Sequence, residues 1–315
     1  MRVAVTGASG FVGGAVCRAL TGRGADVLAY GRRAHIAAEH VGGAEYRSWD
    51  LTAGPPPGAP RVDAVVHCAG SVTDWGPVRD LFAANLTGTR HALAAFPAAR
   101  FVHVSTASVY DPYRPQVMAA EDQAPVRRYL NAYGASKAAA ERVVLAAMRD
   151  RPAVILRPHA VYGPGDTTLL PRVLAAVRGP LLPAAGTGRQ RISLTSIGNL
   201  VDACLLAVDG GPRGNQGVYN VTDAEPVVLD DALRTVLAER GIRARPVYLP
   251  RRAAWPVAAA VEGVFLLAGR PEPPRLTRYA LSHLAVERTL DISAARRDLG
   301  YAPAPTSFAG ARTWP

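Results

Sequence analysis

A short apolar run at residues 2–5 passes through Thr6-Gly7-Ala8-Ser9-Gly10-Phe11-Val12-Gly13 into a stretch of helical periodicity. Glycine at three-residue intervals between a strand and a helix leaves few architectures open. Gly7 permits a tight turn, Gly10 lets the backbone approach a diphosphate, and Gly13 lets the helix pack against the strand. The helix start offers unpaired N–H groups and the positive end of the peptide dipole. The rest of the first half agrees with this corner. Apolar runs at 26–30, 64–67, 101–104 and 153–156 read as buried strands, separated by helical spacing at 12–23, 75–96 and 133–149. Strand and helix in alternation predict an α/β fold, a Rossmann-type doubly wound parallel sheet with right-handed crossovers.

The pattern changes after Gly163-Pro164-Gly165-Asp166, where proline becomes frequent. The expected organisation is a cofactor-binding Rossmann domain over 1–165 with a returning segment near 195–221, and a smaller, interleaved substrate domain over 166–194 and 222–315. The proline-rich piece at 53–60 reads as a stiff surface loop, not a linker. The longest apolar stretch, 253–269, is shorter than the ~20 residues of a membrane span and holds Pro256 and Glu262. It reads as one or two buried helices with Val257, Val261 and Phe265 on one face, covering the substrate.

With 49% hydrophobic and 19% charged residues in 315, the chain is neither disordered nor a disulfide-built miniprotein. Three cysteines without a CxxC pair fit a reducing, cytoplasmic setting and give no metal framework. The formal charge of +11 is spread over dispersed arginines with few aromatics, which argues against a nucleic-acid partner. It suits phosphates on a cofactor, and a carrier- or coenzyme A-linked substrate. The second strand ends in Arg32 and Arg33, about twenty residues after the loop, where a carboxylate would favour NAD(H). Two arginines there favour the 2′-phosphate of NADP(H), with NAD(H) still open.

Of 36 basic residues only one is lysine, Lys137, in Tyr133-Gly134-Ala135-Ser136-Lys137. Residues four apart share a helical face, so phenol and ammonium point the same way. Lowering a phenol from pKa ~10 to ~7 needs about 4 kcal/mol. One positive charge at ~4 Å in an effective dielectric of ~20 supplies about that. Tyr133 thereby becomes a usable acid or base. A third hydroxyl should come from the strand end at Ser105, Thr106 or Ser108, among which spacing does not choose.

These residues resemble the extended short-chain dehydrogenase/reductase family along nearly the whole chain, nearest to its 3β-hydroxysteroid dehydrogenase-like branch. The segment Thr6 to Gly14 looks like the family's nucleotide loop, which implies cofactor contacts at Gly7, Ser9, Gly10, Phe11 and Val12. Asp50-Leu51 matches the adenine-contacting pair, and Cys68-Ala69-Gly70 the segment lining the cofactor. Asn85 matches the central-helix asparagine, and Pro158-His159 the segment beside the nicotinamide. The resemblance assigns the catalytic hydroxyl to Thr106, with Tyr133 and Lys137, both also cofactor contacts. Thr195 to Ala203, Pro274-Arg275-Leu276-Thr277 and Asp298-Leu299-Gly300-Tyr301-Ala302-Pro303 are similar to the hydroxysteroid branch. Two departures separate the chain from nucleotide-sugar enzymes of the family. Ala107-Ser108 stand where dehydratases carry Asp-Glu, and Arg191 is one residue off the phosphate-gripping arginine of epimerases.

The resemblance therefore implies an NADP(H)-dependent ketone/alcohol oxidoreductase acting on a bulky, largely apolar small molecule, such as a steroid-like, polyketide or other natural-product ketone. The alternative is a nucleotide-sugar epimerase or dehydratase that recycles its cofactor. A non-catalytic NADP sensor should have lost the Tyr133–Lys137 pair. A homodimer is compatible with this reading, and an integral membrane segment is not.

Overall fold

The protein is described by a computed structural model covering residues 1–211, 216–270, 272–274 and 276–314; Arg275 lies outside the described residues. Seven strands form the central sheet: β1 (Arg2–Thr6), β2 (Asp26–Gly31), β3 (Glu45–Ser48), β4 (Ala64–His67), β5 (Arg100–Val104), β6 (Ala153–Pro158) and β7 (Gly217–Val221). They lie in the order β7-β6-β5-β4-β1-β2-β3, all parallel. The order reverses between β1 and β4, and the carboxyl ends at such a switch point form a ligand crevice.

Alternate residues of each strand feed two cores, as burial on both faces of a parallel sheet demands. Val3 and Val5 pack with Val16 and Leu20 of helix α1 (Phe11–Gly22) on one face. Ala4, Val65 and Phe101 pack on the other face with Val144 of helix α2 (Ala132–Ala147). Helix α3 (Ile197–Asp209) returns the chain to the first face through Leu200 and Cys204, and β7 follows it. The edge strand β3 was not expected: its Glu45, Arg47 and Ser48 are exposed, so it carries no apolar signal. A charged, short edge of this kind resists pairing with other chains.

The helical stretch expected at 75–96 is Val78–Phe82, one wide π turn at Ala83–Thr87, and Gly88–Ala95. A second sheet of four short strands orders Val227–Val228, Arg191–Ile192, Arg288–Leu290 and Gln116–Ala119 side by side. It ties residues of the last thirty positions to a loop that follows β5.

The apolar stretch near 253–269 behaves differently from its expectation. It forms a single helix, α4 (Arg251–Leu267), whose buried residues are Ala254, Ala258 and Glu262. Val257, Val264 and Leu266 are exposed. Two alanines let α4 approach helix α5 (Arg278–Leu284) and its surroundings closely, and Glu262 then accepts from the Arg278 backbone N and Nε, both at 2.6 Å. That charge-assisted pair helps set which face turns inward; of the expected face Val257 is exposed and Val261 and Phe265 are half-buried. Among the described residues no helix is long and apolar enough to cross a membrane.

The N-terminal corner is sterically closed. A Cβ on Gly13 would overlap the Gly7 carbonyl oxygen and sit 2.9 Å from Ala8 Cα. Gly13→Ala is expected to destabilise the chain by about 1–3 kcal/mol through backbone overpacking, read as a lower denaturant midpoint at unchanged slope.

Candidate active site

The switch-point crevice is walled by backbone. Gly7 has φ +72°, and a Cβ there would lie 2.6 Å from Ala69 N. Gly10 N donates to Gly7 O at 2.9 Å, closing the turn. Gly10 caps α1 without a side-chain hydrogen bond, and the first turn holds no acid. The helix start is thus left to an external anion. Phe11 lies against Gly165, while Val12 packs on the core behind the turn. A Cβ on Gly31 would come within 2.7 Å of both Ser9 Oγ and Tyr46 Oη, so the end of β2 also approaches the loop closely.

Arg32 and Arg33 follow β2 on the surface. Asp50 accepts from Thr52 N at 2.9 Å and Thr52 Oγ1 at 2.8 Å, which holds its carboxyl below the usual range with help from the Arg32 charge. Leu51 beside it is buried. The π turn aims Asn85 inward, as such turns often do at functional sites. Its Oδ1 accepts from Ser71 N at 2.7 Å, and its Nδ2 donates to Ser136 Oγ at 2.9 Å. A Cβ on Gly70 would meet Asn85 Oδ1 at 2.6 Å. Cys68 is held as a protonated thiol, because burial raises its pKa well above the ordinary value. Loops 7–13 and 68–70, the end of β2 and the Asp50 turn therefore make a glycine-walled groove with a capless helix start and two exposed guanidinium groups. These features fit a dinucleotide.

At the other end of the crevice stand the hydroxyls. Asn131 Oδ1 accepts from Gly134 N at 3.1 Å and fixes the start of α2. Tyr133, Lys137 and Glu141 are then stacked along one buried face. The Thr106 side chain stands near the Tyr133 hydroxyl. Thr106 Oγ1 also accepts from Ser108 N and donates to Ser108 Oγ, both at 3.1 Å. Lys137 Nζ donates to Val104 O at 2.7 Å.

Electrostatics here differ from the sequence arithmetic, which set one ammonium directly against the phenol. Burial raises the Tyr133 pKa, with the nearby Thr106 hydroxyl the opposing influence. Burial also pushes Lys137 down to about 8, against the pull of Glu141 and Cys68. Desolvation, absent from a calculation on two charges alone, outweighs the pairing. Tyr133 is consequently protonated at neutral pH.

Behind the hydroxyls lies a fully buried ion pair. Arg157 Nε and Nη2 reach Glu141 Oε1 and Oε2 at 3.0 and 2.8 Å, and Ser105 Oγ donates to Oε1 at 2.5 Å. Arg157 also donates to Glu121 O and Ala124 O.

Three side chains here were not expected from sequence: Tyr279, His283 and Arg288. Tyr279 and His283 lie four apart on α5, the same helical spacing as Tyr133 and Lys137, and that spacing was the available signal. Tyr279 Oη is 2.8 Å from Ser108 Oγ, and its ring stands edge-on to Tyr133 at 6.0 Å. His159 turns toward this second layer. Its Nδ1–H donates to Ser193 O at 2.6 Å, because a carbonyl can only accept. Its Nε2 then accepts from His283 Nδ1–H at 3.0 Å. His283 Nε2 is left to accept from Ser108 Oγ at 3.4 Å. One backbone carbonyl therefore sets both tautomers.

Other motif residues are structural. Asn199 Nδ2 donates to Asp223 Oδ1 and Ala304 O at 2.6 and 2.9 Å, tying α3 to the C-terminal segment. Arg191 is exposed and directs Nη2 to Pro226 O at 3.4 Å, away from the hydroxyl cluster. Among the described residues no cluster of three or more His, Cys, Asp or Glu is placed to hold a metal.

A parallel sheet, a glycine-walled dinucleotide groove and a Thr–Tyr–Lys cluster define an NAD(P)-dependent enzyme of the extended short-chain dehydrogenase/reductase type. Residues 3–222 match the family model described as the NAD dependent epimerase/dehydratase family, and the chain belongs to that family. It is 33% identical to a 2-alkyl-3-oxoalkanoate reductase of Stenotrophomonas maltophilia, over 96% of this chain and 95% of that one. It is 34% identical to the 4-hydroxy-2-methyl-3-oxo-4-farnesyl-3,4-dihydroquinoline-1-oxide ketoreductase of Stigmatella aurantiaca, over 96% and 92%. A 3 beta-hydroxysteroid dehydrogenase/isomerase of Mycobacterium tuberculosis is 29% identical over 96% and 86%. The UDP-glucuronic acid 4-epimerase of Bacillus cereus shares the fold, with TM-score 0.73 at 22% identity over 100% and 97%. The reductase and dehydrogenase relatives support an oxidoreductase of this family.

The buried histidines set an acid limit on stability. Burial pushes His159 to about 4 and His67 to about 3, and holds His103 and His283 well below the usual value. The unfolded chain takes up these protons near pH ~6.5, so stability is fully present above that and is lost as pH falls toward 4. Each such histidine contributes a slope of about 1.4 kcal/mol per pH unit. Urea midpoints measured from pH 7 to 4 are expected to fall accordingly.

Proposed function

We propose that the protein is an NADP(H)-dependent ketoreductase acting on a bulky, largely apolar ketone. The observation that carries this reading is the buried, protonated Tyr133 beside Thr106, with no free carboxylate next to them among the described residues. Glu141, the acid one helical turn beyond Lys137, is committed to Arg157 and Ser105. Such a site can protonate an oxygen, and it lacks the acid that water elimination needs. The exposed position of Arg191 likewise gives no support to a nucleotide-sugar epimerase.

When bound, a nicotinamide cofactor supplies the hydride. Tyr133 Oη donates its proton to the carbonyl oxygen of the substrate as negative charge develops there. Thr106 Oγ1 holds the same oxygen, stabilising charge where it appears. The Lys137 ammonium, on the helical face of Tyr133, stabilises the phenolate left behind. Asn85 and Ser136 keep the helix start in place. Gly7, Ser9, Gly10, Phe11 and the helix start hold the diphosphate, with Asp50 and Leu51 at the adenine end and Cys68, Ala69, Gly70 and Pro158 along the groove. Arg32 and Arg33 take the 2′-phosphate.

The test follows absorbance at 340 nm with NADPH and NADH over a panel of bulky ketones and nucleotide sugars, with product analysis. Stoichiometric NADPH loss with a ketone is expected; conversion of a nucleotide sugar with no net change at 340 nm would sink the reading. Tyr133→Phe is expected to lower kcat by ~10²–10⁴ and Thr106→Ala by ~10²–10³. Arg32→Gln with Arg33→Gln should raise the KM for NADPH ~10–100-fold and leave that for NADH within about two-fold. Reduction should decline above pH 8, where Lys137, with its pKa at about 8, loses its proton.

A further inference from the structure

The outer side of α4 is apolar along its whole length. Ala253, Pro256, Val257, Ala260, Val264 and Leu267 recur at intervals of three and four, and all six are exposed. Leu267 is 92% accessible, and Leu266 beside it 65%. The helix cannot roll to hide this stripe. Glu262 on its inner side is bonded to Arg278, and Ala254 and Ala258 are packed with Leu281 and Ala285. Two neighbours widen the patch. Val247 and Leu249 are exposed on one side of the strand Arg245–Leu249, which ends two residues before α4 begins. Trp75 Nε1 donates to Arg270 O at 3.0 Å, so the loop that carries the exposed Val72 and Val78 borders the far end of the helix. Apolar surface gathered in this way marks a contact.

The charges around the stripe say what it meets. Residues 240–270 hold six arginines, and their one carboxylate is Glu262, which is committed to Arg278. Arg252 and Arg270 are exposed at the two ends of the stripe. A second copy of this chain fits badly. Pairing the stripe with itself sets Arg252 against Arg252 in a parallel arrangement and Arg252 against Arg270 in an antiparallel one, like charge on like charge either way. A lipid surface suits both parts, since acyl chains take the apolar stripe and anionic headgroups take the guanidinium groups.

We propose that α4 docks the protein on an anionic membrane surface, with its outer stripe at the level of the headgroups and Arg252 and Arg270 on lipid phosphates. The helix has 17 residues and is pinned along its inner side, so at about 26 Å it can lie in such a surface and cannot cross it. The docking does not depend on which reaction the protein catalyses.

The test is flotation of the full chain with vesicles of phosphatidylcholine, and of phosphatidylcholine mixed with phosphatidylglycerol, at low and high salt. Wild type should partition onto the mixed vesicles at least ~10-fold more strongly than onto phosphatidylcholine alone, and added salt should weaken this. Val264→Gln with Leu267→Gln should lower partition onto the mixed vesicles by ~10-fold or more. Arg252→Gln with Arg270→Gln should remove the preference for phosphatidylglycerol. If the Val264 and Leu267 double variant fails to fold, Leu267→Gln alone reads the same contact with a smaller loss. No flotation, or flotation that the Val264 and Leu267 changes leave unaltered, would overturn the proposal. So would a lipid-free oligomer that the same changes dissociate in sedimentation, because a second copy would then cover the stripe.

Discussion

The ion pair between Arg157 and Glu141 is the contact on which the site depends. It joins the end of β6 to the face of α2 that carries Tyr133 and Lys137, and through Ser105 it also grips the residue before Thr106. Both side chains are essentially inaccessible, and both Glu141 oxygens and every Arg157 nitrogen are engaged. Removing one partner of such a pair typically costs about 3–5 kcal/mol, because the other is stranded without water. The geometry of a Thr–Tyr–Lys cluster built from two separate elements is therefore held by a pair that itself touches no substrate. Tyr110 extends the same network, donating to Asn220 Oδ1 at 2.7 Å and so reaching β7.

Much of this was legible in the sequence. The glycines at 7, 10 and 13, the buried strands, and the Tyr133–Lys137 spacing each follow from a local rule, steric for the glycines and periodic for the rest. Asn85 meets Ser136, the residue before Lys137, and Thr106 stands near Tyr133. What escaped was set by tertiary context. β3 is held by its neighbour β2 and not by any apolar pattern of its own. In α4 the pairing of Glu262 with Arg278 and the small size of Ala254 and Ala258 turned the buried stripe about a quarter turn from the one that periodicity had chosen. Tyr279 and His283 show a helical pair, yet nothing local announces that Ser108 is their partner across more than 170 positions.

Burial, more than charge pairing, sets the chemistry available. It keeps the phenol protonated, brings the only lysine to a value near working pH, and holds four histidines neutral. The same dryness pushes the Arg288 guanidinium down to about 10, against the pull of the Asp111 charge. The neutral, proton-donating Tyr133 thus stands in a dry setting, with the bonded hydroxyls of Ser108 and Tyr279 beside it.

The Ser108–Tyr279 contact joins residues 171 positions apart. During synthesis at about 5–20 residues per second, the ribosome needs on the order of ten to thirty seconds to travel from one to the other. The glycine-walled groove is made from the first 90 residues or so, and the hydroxyl cluster from the next 50, whereas the wall facing them emerges far later. A nascent chain can therefore gather most of its nucleotide cradle well before it can enclose anything beside Tyr133. A chain that stops before Tyr279 lacks the enclosing wall, and it keeps a cradle with no chamber attached.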